Sequence, residues 1–304
     1  RPAWGRPAVD SLIQYLISSF SLGGLYALMT LGLVVVYGIL RLINFAYGEL
    51  VMVAGYGLLL FGNTDLAWPL VALLSILAAV IAAVIMERVA FRPVRFGSAT
   101  TMLITSFAVS TLLQNVTLLA ISPRPQAVRL PAFFVESITL GHLRLRIVDL
   151  ASILVSVLAL VVLTILVRRT TIGIALRAAA DDFTMTRLLG VRANVLISVA
   201  FAISGLLAGI VAIFWVGRSS LVEPSVGLQP VLIAFIAAVV GGMENLKGAV
   251  LGGYLLGFLT VGLQTWLPQA MLDYRNAVLF GIVIVILLIR PEGLIRPVYS
   301  RERR

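Results

Sequence analysis

The chain carries no cysteine and a single histidine in 304 residues, and only 12% of its residues are charged. The missing cysteines exclude a disulfide framework, a thiolate metal site and thiol catalysis. His142 stands in a polar connection without the partner residues a metal ion requires, and it reads as a solvated loop residue. No Ser–His–Asp set, His-Glu-x-x-His run or acidic metal cluster occurs in the sequence. A phosphate-binding loop needs Gly-x-x-x-x-Gly-Lys-Ser/Thr between a strand and a helix, so that backbone N–H groups and the lysine reach the phosphates. The nearest stretch, Gly242 to Gly248, has Lys247 before the glycine and Ala249 after it. No catalytic, cofactor-binding or metal-ligating residue is therefore assigned.

What fills the space left by charge is apolar: 61% of the chain is hydrophobic, against roughly 45–50% in an average soluble domain. A globular core of this size cannot bury that excess, because too much of the chain remains at the surface. A bilayer removes the difficulty, and within it the backbone must satisfy its own hydrogen bonds as helices or a closed barrel. The apolar runs are long and continuous and do not alternate in segments of about ten, which excludes the barrel. The expectation is an all-α, polytopic transmembrane bundle forming a single integral-membrane domain over residues 1–304. The net charge of +10 resides in arginines grouped between the apolar runs. Cationic loops retained on the cytoplasmic side account for it, and nucleic acid is not needed.

Runs long enough to approach or cross a hydrocarbon core of about 30 Å lie at residues 12–40, 42–61, 66–90, 98–121, 148–168, 193–216, 229–241, 249–267 and 276–290. The run at 229–241 is short and the first two nearly fuse, giving eight or nine membrane segments, some discontinuous or re-entrant. The first run is too long for a signal peptide and reads as a retained span. Three arginine groups, Arg88/Arg92/Arg95, Arg168 to Arg192, and Arg290 with the tail, fall on one side if 229–241 crosses. That side is assigned to the cytoplasm, which puts the 122–147 connection outside despite its four arginines. The side of the N-terminus stays open.

Two places interrupt the plain spans. Arg41, Asn44, Tyr47, Gly48 and Glu49 break the apolar stretch between Leu12 and Phe61, and Glu244 with Lys247 stands in a second, glycine-rich break. Interrupted hydrophobic segments mark discontinuous helices beside a transport path, and ionisable residues inside a membrane are functional by default. Asn44 and Glu49, apolar on both flanks, read as path residues. Arg41, Glu244 and Lys247 are equally compatible with helix ends whose long side chains reach the interface. The connection Gly217–Pro230, with Arg218 and Glu223, reads as an outer loop, either solvated or meeting a binding protein. Beyond the second break, Gly248-xxx-Gly252 and Gly253-xxx-Gly257 allow close helix approach and read as packing within the bundle.

The connection at about 170–192 is the most informative stretch outside the spans. Asp181 or Asp182 suits an N-cap and Gly190 a helix C-terminus. The two turns between them, with Phe183, Met185, Leu188 and Leu189 as apolar residues, are too short to persist alone. Either the chain's own helix ends or a partner at the cytoplasmic face must hold them.

Several blocks resemble one family. The run GLYALMTLGLVVVYGILRLINFAYGELVMVAGY (Gly24–Tyr56) resembles the N-terminal signature of branched-chain amino-acid ABC transporter permeases of the LivH type. This chain has Tyr47-Gly48-Glu49 where that family typically carries His-Gly-Asp. RAAADDFTMTRLLGV (Arg177–Val191) is similar to the family's cytoplasmic coupling loop, and VGLQPVLIAFIAAVVGGMENLKGAVLGGYLLG (Val226–Gly257) to its glycine-rich C-terminal region. LIRPEGLI (Leu288–Ile295) is similar to the end of its last span. The resemblance implies a multi-pass permease in a bacterial inner membrane, acting with a second permease of similar fold, two ATPase subunits and a periplasmic binding protein. ATP would be used by those ATPases and no cofactor bound by this chain. Arg41, Asn44, Tyr47, Gly48, Glu49 and Glu244 become candidates for the translocation path. Arg177, Asp181, Asp182, Arg187, Leu188, Leu189 and Gly190 become candidates for the ATPase-coupling loop. Branched-chain amino acids are the expected cargo, with urea, short amides or other amino acids as related possibilities. A stand-alone, ion-coupled transporter using Glu49 or Glu244 is the alternative from another class.

Overall fold

The computed structural model describes residues 6–95, 97–134, 136–140, 143–243, 245–291 and 293–295. His142 and Glu244 lie outside the described residues. The order of elements is α1 (Arg6–Leu40), α2 (Tyr47–Gly62), α3 (Trp68–Met86) continued by a π-helical turn (Glu87–Phe91) and α4 (Arg92–Val94), then α5 (Ala99–Ala120). After β1 (Gln126–Ala127), β2 (Ser137–Leu140) and β3 (Leu143–Arg146) come α6 (Ile147–Arg169), α7 (Thr171–Asp181), α8 (Phe183–Leu188) and α9 (Ala193–Ser219). β4 (Leu221–Val222), α10 (Leu228–Gly241), α11 (Leu246–Trp266) and α12 (Arg275–Ile289) close the chain.

Each of the nine apolar runs becomes a helix, and local chemistry sets many of the starts. Pro69 occupies the first turn of α3, where its missing N–H costs nothing. Ser98, Thr170, Asp182 and Asn245 cap α5, α7, α8 and α11 by accepting from Thr101, Gly173, Met185 and Lys247 N–H groups. Among the described residues, seven helical stretches are long and apolar enough to span a bilayer, and Tyr47–Gly62 and Leu228–Gly241 are shorter.

The helices are not equivalent in depth. In the most apolar window of the first span 89% of residues are buried within the protein, against 17% for α5 and 11% for the last span. The first helix is thus the core of the bundle, surrounded by α6, α9, α10 and α11. Helices α3, α5, α6 and α12 turn apolar side chains outward, including Leu73, Ile104, Leu154 and Ile284. The two glycine pairs of α11 explain its seat against the core. A Cβ on Gly252 would meet the Ala237 carbonyl oxygen of α10 at 2.1 Å, and one on Gly257 would meet the Gly23 Cα of α1 at 2.3 Å. Gly248/Gly252 therefore serve α10 and Gly253/Gly257 serve α1, both within one chain.

Charge sorts the two ends. Arg88, Arg92, Arg95, Arg187 and Arg192 line one cavity, and Arg41 Nη2 donates to the Ala180 carbonyl at 3.0 Å, so α1 ends beside α7 at this basic end. The tail folds back on the close of α10, where Leu294 N–H donates to the Val240 carbonyl at 2.8 Å. α1 starts at the opposite end, where Tyr15 packs on Trp266 with ring centroids 4.5 Å apart. That geometry puts the start of α1 at the end of the bundle opposite this cavity.

The spans are helical, as expected, and the connections add two features. β1 pairs antiparallel with β4, and β2 with β3, at the end opposite the Arg88/Arg92/Arg95 cavity. There Phe134, 2% exposed, packs edge-on to Trp68 of α3, so the 122–147 connection is seated on the bundle. Arg218 is likewise no solvated loop residue. It lies in the last turn of α9 and pairs with Asp149 at 2.7 Å, while Ser21 also donates to that carboxylate at 3.0 Å.

Candidate translocation site

The chain leaves α1 through Arg41, whose φ of +53° lies in the left-handed region that non-glycine residues rarely adopt. It then runs through Leu42–Ala46 without regular structure before α2 begins at Tyr47. This short segment is buried, and every side chain the sequence singled out after Arg41 turns inward. Asn44 is 3% exposed, and its Nδ2 donates to Met86 Sδ of α3 at 3.8 Å. Phe45 stacks on Phe107 of α5 at 4.6 Å and leans on Phe235 of α10 at 5.8 Å. Tyr47 is fully buried with its ring over Gly32 of α1.

Glu49 stands in the first turn of α2 with 1% exposure. Its Oε1 accepts from Ser110 Oγ at 2.8 Å and from Gln114 Nε2 at 2.7 Å, both on α5. Its Oε2 is buried without a hydrogen-bond partner among the described residues, and so is Asn44 Oδ1. A carboxyl group in this setting costs several kcal/mol unless other contacts compensate. The position in a first helical turn helps, because α2 has no side-chain cap and its N-terminal N–H groups carry partial positive charge.

Gly48 brings a second helix start to the same place. A Cβ there would lie 2.4 Å from the Gly227 carbonyl oxygen, and one on Gly227 would lie 1.9 Å from the Gly48 oxygen. Only two glycines permit backbones to cross this closely. Gly227 is the N-cap of α10, again without a side-chain cap. From the crossing, α2 runs towards the β1–β4 ladder, with Gly55 against Val222 and Val216. α10 runs the other way, to Gly241 beside the start of α11. Two short helices thus begin at one buried point and diverge, the arrangement of discontinuous helices around a polar station.

Of the residues assigned to a path by sequence, the structure gathers Asn44, Tyr47, Gly48 and Glu49. Arg41 is elsewhere, exposed at the basic end on Ala180, and Lys247 is exposed in the first turn of α11. The partner of the first break is the start of α10, not the Gly241–Gly248 break at its close. Sequence reasoning missed Ser110, Gln114 and Gly227. A signal existed: Ser106, Ser110 and Gln114 recur every fourth residue and so share one face of α5.

The 170–192 connection forms two helices rather than one. α7 packs Gly173 against the close of α6 and Ala180 against Gly38 of α1. Asp181 ends it, and Asp182 caps α8 through Oδ1 accepting from Met185 N–H at 2.9 Å. Gly190, at φ +87°, terminates the turn as its position suggested. Thr186 is buried, whereas Arg177, Arg187, Leu188 and Leu189 are exposed, Leu188 to 75% and Leu189 to 83%.

Comparison with known proteins identifies relatives of the chain. The profile of a family described as the permease component of the branched-chain amino acid transport system matches residues 15–288. The high-affinity branched-chain amino acid transport system permease protein BraD of Pseudomonas aeruginosa is 34% identical, with 95% of this chain and 97% of that protein covered. LivH of Escherichia coli K12, a permease of the same description, is 33% identical over 93% of this chain and 95% of its own length. A solved structure titled as an inward-facing conformation of a putative metal-chelate type ABC transporter shares the fold, with a TM-score of 0.52 at 18% identity over 90% of this chain and 87% of that one. The chain is a multi-pass membrane protein and a transport subunit, not an enzyme, and it belongs to the permease family of the branched-chain amino acid ABC transport systems.

Proposed function

We propose that this chain forms part of the membrane path of an ATP-driven importer for branched-chain or chemically related amino acids in a bacterial inner membrane. It acts with a second permease of similar fold, two cytoplasmic ATPases and an external substrate-binding protein. The observation that carries the reading is Glu49, a buried carboxyl whose one oxygen is held by Ser110 and Gln114 and whose other is unpartnered. An amino acid in transit offers an ammonium group to such an oxygen, and the converging starts of α2 and α10 offer N–H groups to its carboxylate. Asn44 and Tyr47 complete the polar lining. The family match favours ATP drive over the ion-coupled alternative.

The basic end is the cytoplasmic face by the distribution of arginine. α8 serves as the coupling helix: Asp182 caps it, Phe183 anchors it on the bundle, and Met185, Leu188 and Leu189 present an apolar surface to the ATPase. Arg41 ties the first break to α7 and thereby joins path to coupling loop. α2 and α10, at about 24 and 21 Å of helix, are partial spans within a core of about 30 Å.

The test is uptake of labelled leucine, isoleucine and valine in cells carrying the complete set of subunits. Glu49→Gln is expected to slow uptake about tenfold, the loss of one charged contact, with assembly unchanged. Uptake that survives removal of this chain sinks the assignment, and uptake indifferent to Glu49→Gln sinks the role of that residue.

A further inference from the structure

Between α3 and α9 the bundle opens towards the basic end. The two helices touch backbone to backbone deeper in, where a Cβ on Gly205 would meet the Ala79 carbonyl oxygen at 2.8 Å and one on Gly209 the Ile76 Cα at 2.9 Å. Beyond that contact α3 widens into its π-helical turn, and a cavity of about 880 Å³ separates it from the start of α9 and from α8. Its floor is apolar, formed by Val84, Val195, Val199 and Ala202, and its rim carries Arg88, Arg92, Arg95, Arg187 and Arg192. No acidic side chain lines it among the described residues. Glu87, next to Arg88 on α3's π-helical turn, is 1% exposed and accepts from Ser198 Oγ at 2.7 Å. Among the described residues, Arg88, Arg92, Arg187 and Arg192 make no ion pair.

We propose that this cavity binds the phosphate headgroup of an anionic phospholipid of the cytoplasmic leaflet. Basic pockets between spans on that face are suited to such headgroups, and arginine holds phosphate oxygens two at a time. The apolar floor argues for lipid over an acidic protein surface, which would need no hydrocarbon slot below its charges. Ile81 and Ile85 of α3 and Val195 of α9, each at least half exposed, continue that slot as a track for acyl chains. A lipid seated here would touch α8 through Arg187 and brace it against α3, so membrane charge would bear on the coupling helix.

The purified full chain, extracted from cells, would have its co-purifying lipids quantified by mass spectrometry. Wild type is expected to retain phosphatidylglycerol or cardiolipin in preference to phosphatidylethanolamine. The triple variant Arg88→Gln, Arg92→Gln, Arg192→Gln is expected to lose about tenfold or more of that retention, since each cation near an anionic surface contributes measurably. Arg124→Gln, at the opposite end, should change nothing, and the triple Lys variant, keeping charge and fold, should retain the lipid. Ala202→Trp, which fills the floor without altering charge, should also expel it. Retention unaffected by the Gln variant overturns the proposal. So does full thermal protection of wild type by millimolar inorganic phosphate alone, which would mark a free-anion site. Lipid retention unchanged with loss of ATPase association would overturn it in favour of an acidic protein partner.

Discussion

Replacing Arg218 with methionine tests how the bundle tolerates charge near its outer end. Arg218 Nη2 pairs with Asp149 Oδ1 at 2.7 Å and also donates to Ser21 Oγ, while Ser21 donates to the same carboxylate oxygen and touches Ser152. The cluster ties α9 to α6 and α1, three helices far apart in sequence. Removing one partner of a buried pair leaves the other charge uncompensated, at about 3–5 kcal/mol. The guanidinium keeps 23% of its exposure and the carboxylate 11%, so the lower end, about 3 kcal/mol, is expected. At roughly 2 °C per kcal/mol for a chain of this size, the midpoint of thermal unfolding in mild detergent should fall by about 6 °C. The double variant Asp149→Leu, Arg218→Met removes both charges and should recover most of that loss, because apolar replacement of a whole buried pair is close to neutral. A single variant that unfolds within about 1 °C of wild type, or a double variant no better than the single, would refute the reasoning that the pair is held by mutual neutralisation.

Gly48→Ala sets a Cβ 2.4 Å from the Gly227 oxygen, about 1 Å inside ordinary contact; forcing the crossing apart should cost about 1–3 kcal/mol and reduce uptake, measured by labelled leucine. Gln114→Leu strips Glu49 of its shortest hydrogen bond, 2.7 Å, and should impair uptake by about tenfold or more, as for loss of a bond to a charged group, without altering ATPase association in pull-down. Arg187→Glu with Leu188→Glu should abolish that association while leaving the thermal midpoint unchanged, since both side chains are exposed. Gly257→Leu, against Gly23, should lower expression and thermal stability by at least as much as the loss of the ion pair, because backbone and not a flexible side chain must move.

The sequence by itself determined the solvent, the element type and the family. Excess apolar residues in uninterrupted runs have one physical solution, and the arginines between them order its ends. Local signals were equally legible, because caps act within a few residues: Asp182 and Gly190 bound α8 as their types and spacing require. Partners across the bundle were not. Glu49 stood out as a carboxyl in an apolar stretch, yet its donors Ser110 and Gln114 lie about sixty residues away, and hydrogen bonds between helices leave no spacing rule in sequence. Arg218 read as part of a connection, and only packing of α9 on α6 pairs it with Asp149. Helix depth also belongs to tertiary structure. Mean hydropathy does not order the helices by depth: the first span, 89% buried, stands at 1.9, between the outward-facing α5 at 1.5 and α6 at 3.0, because hydropathy counts residue types, whereas depth depends on which neighbours enclose the helix and on the small residues that let them approach.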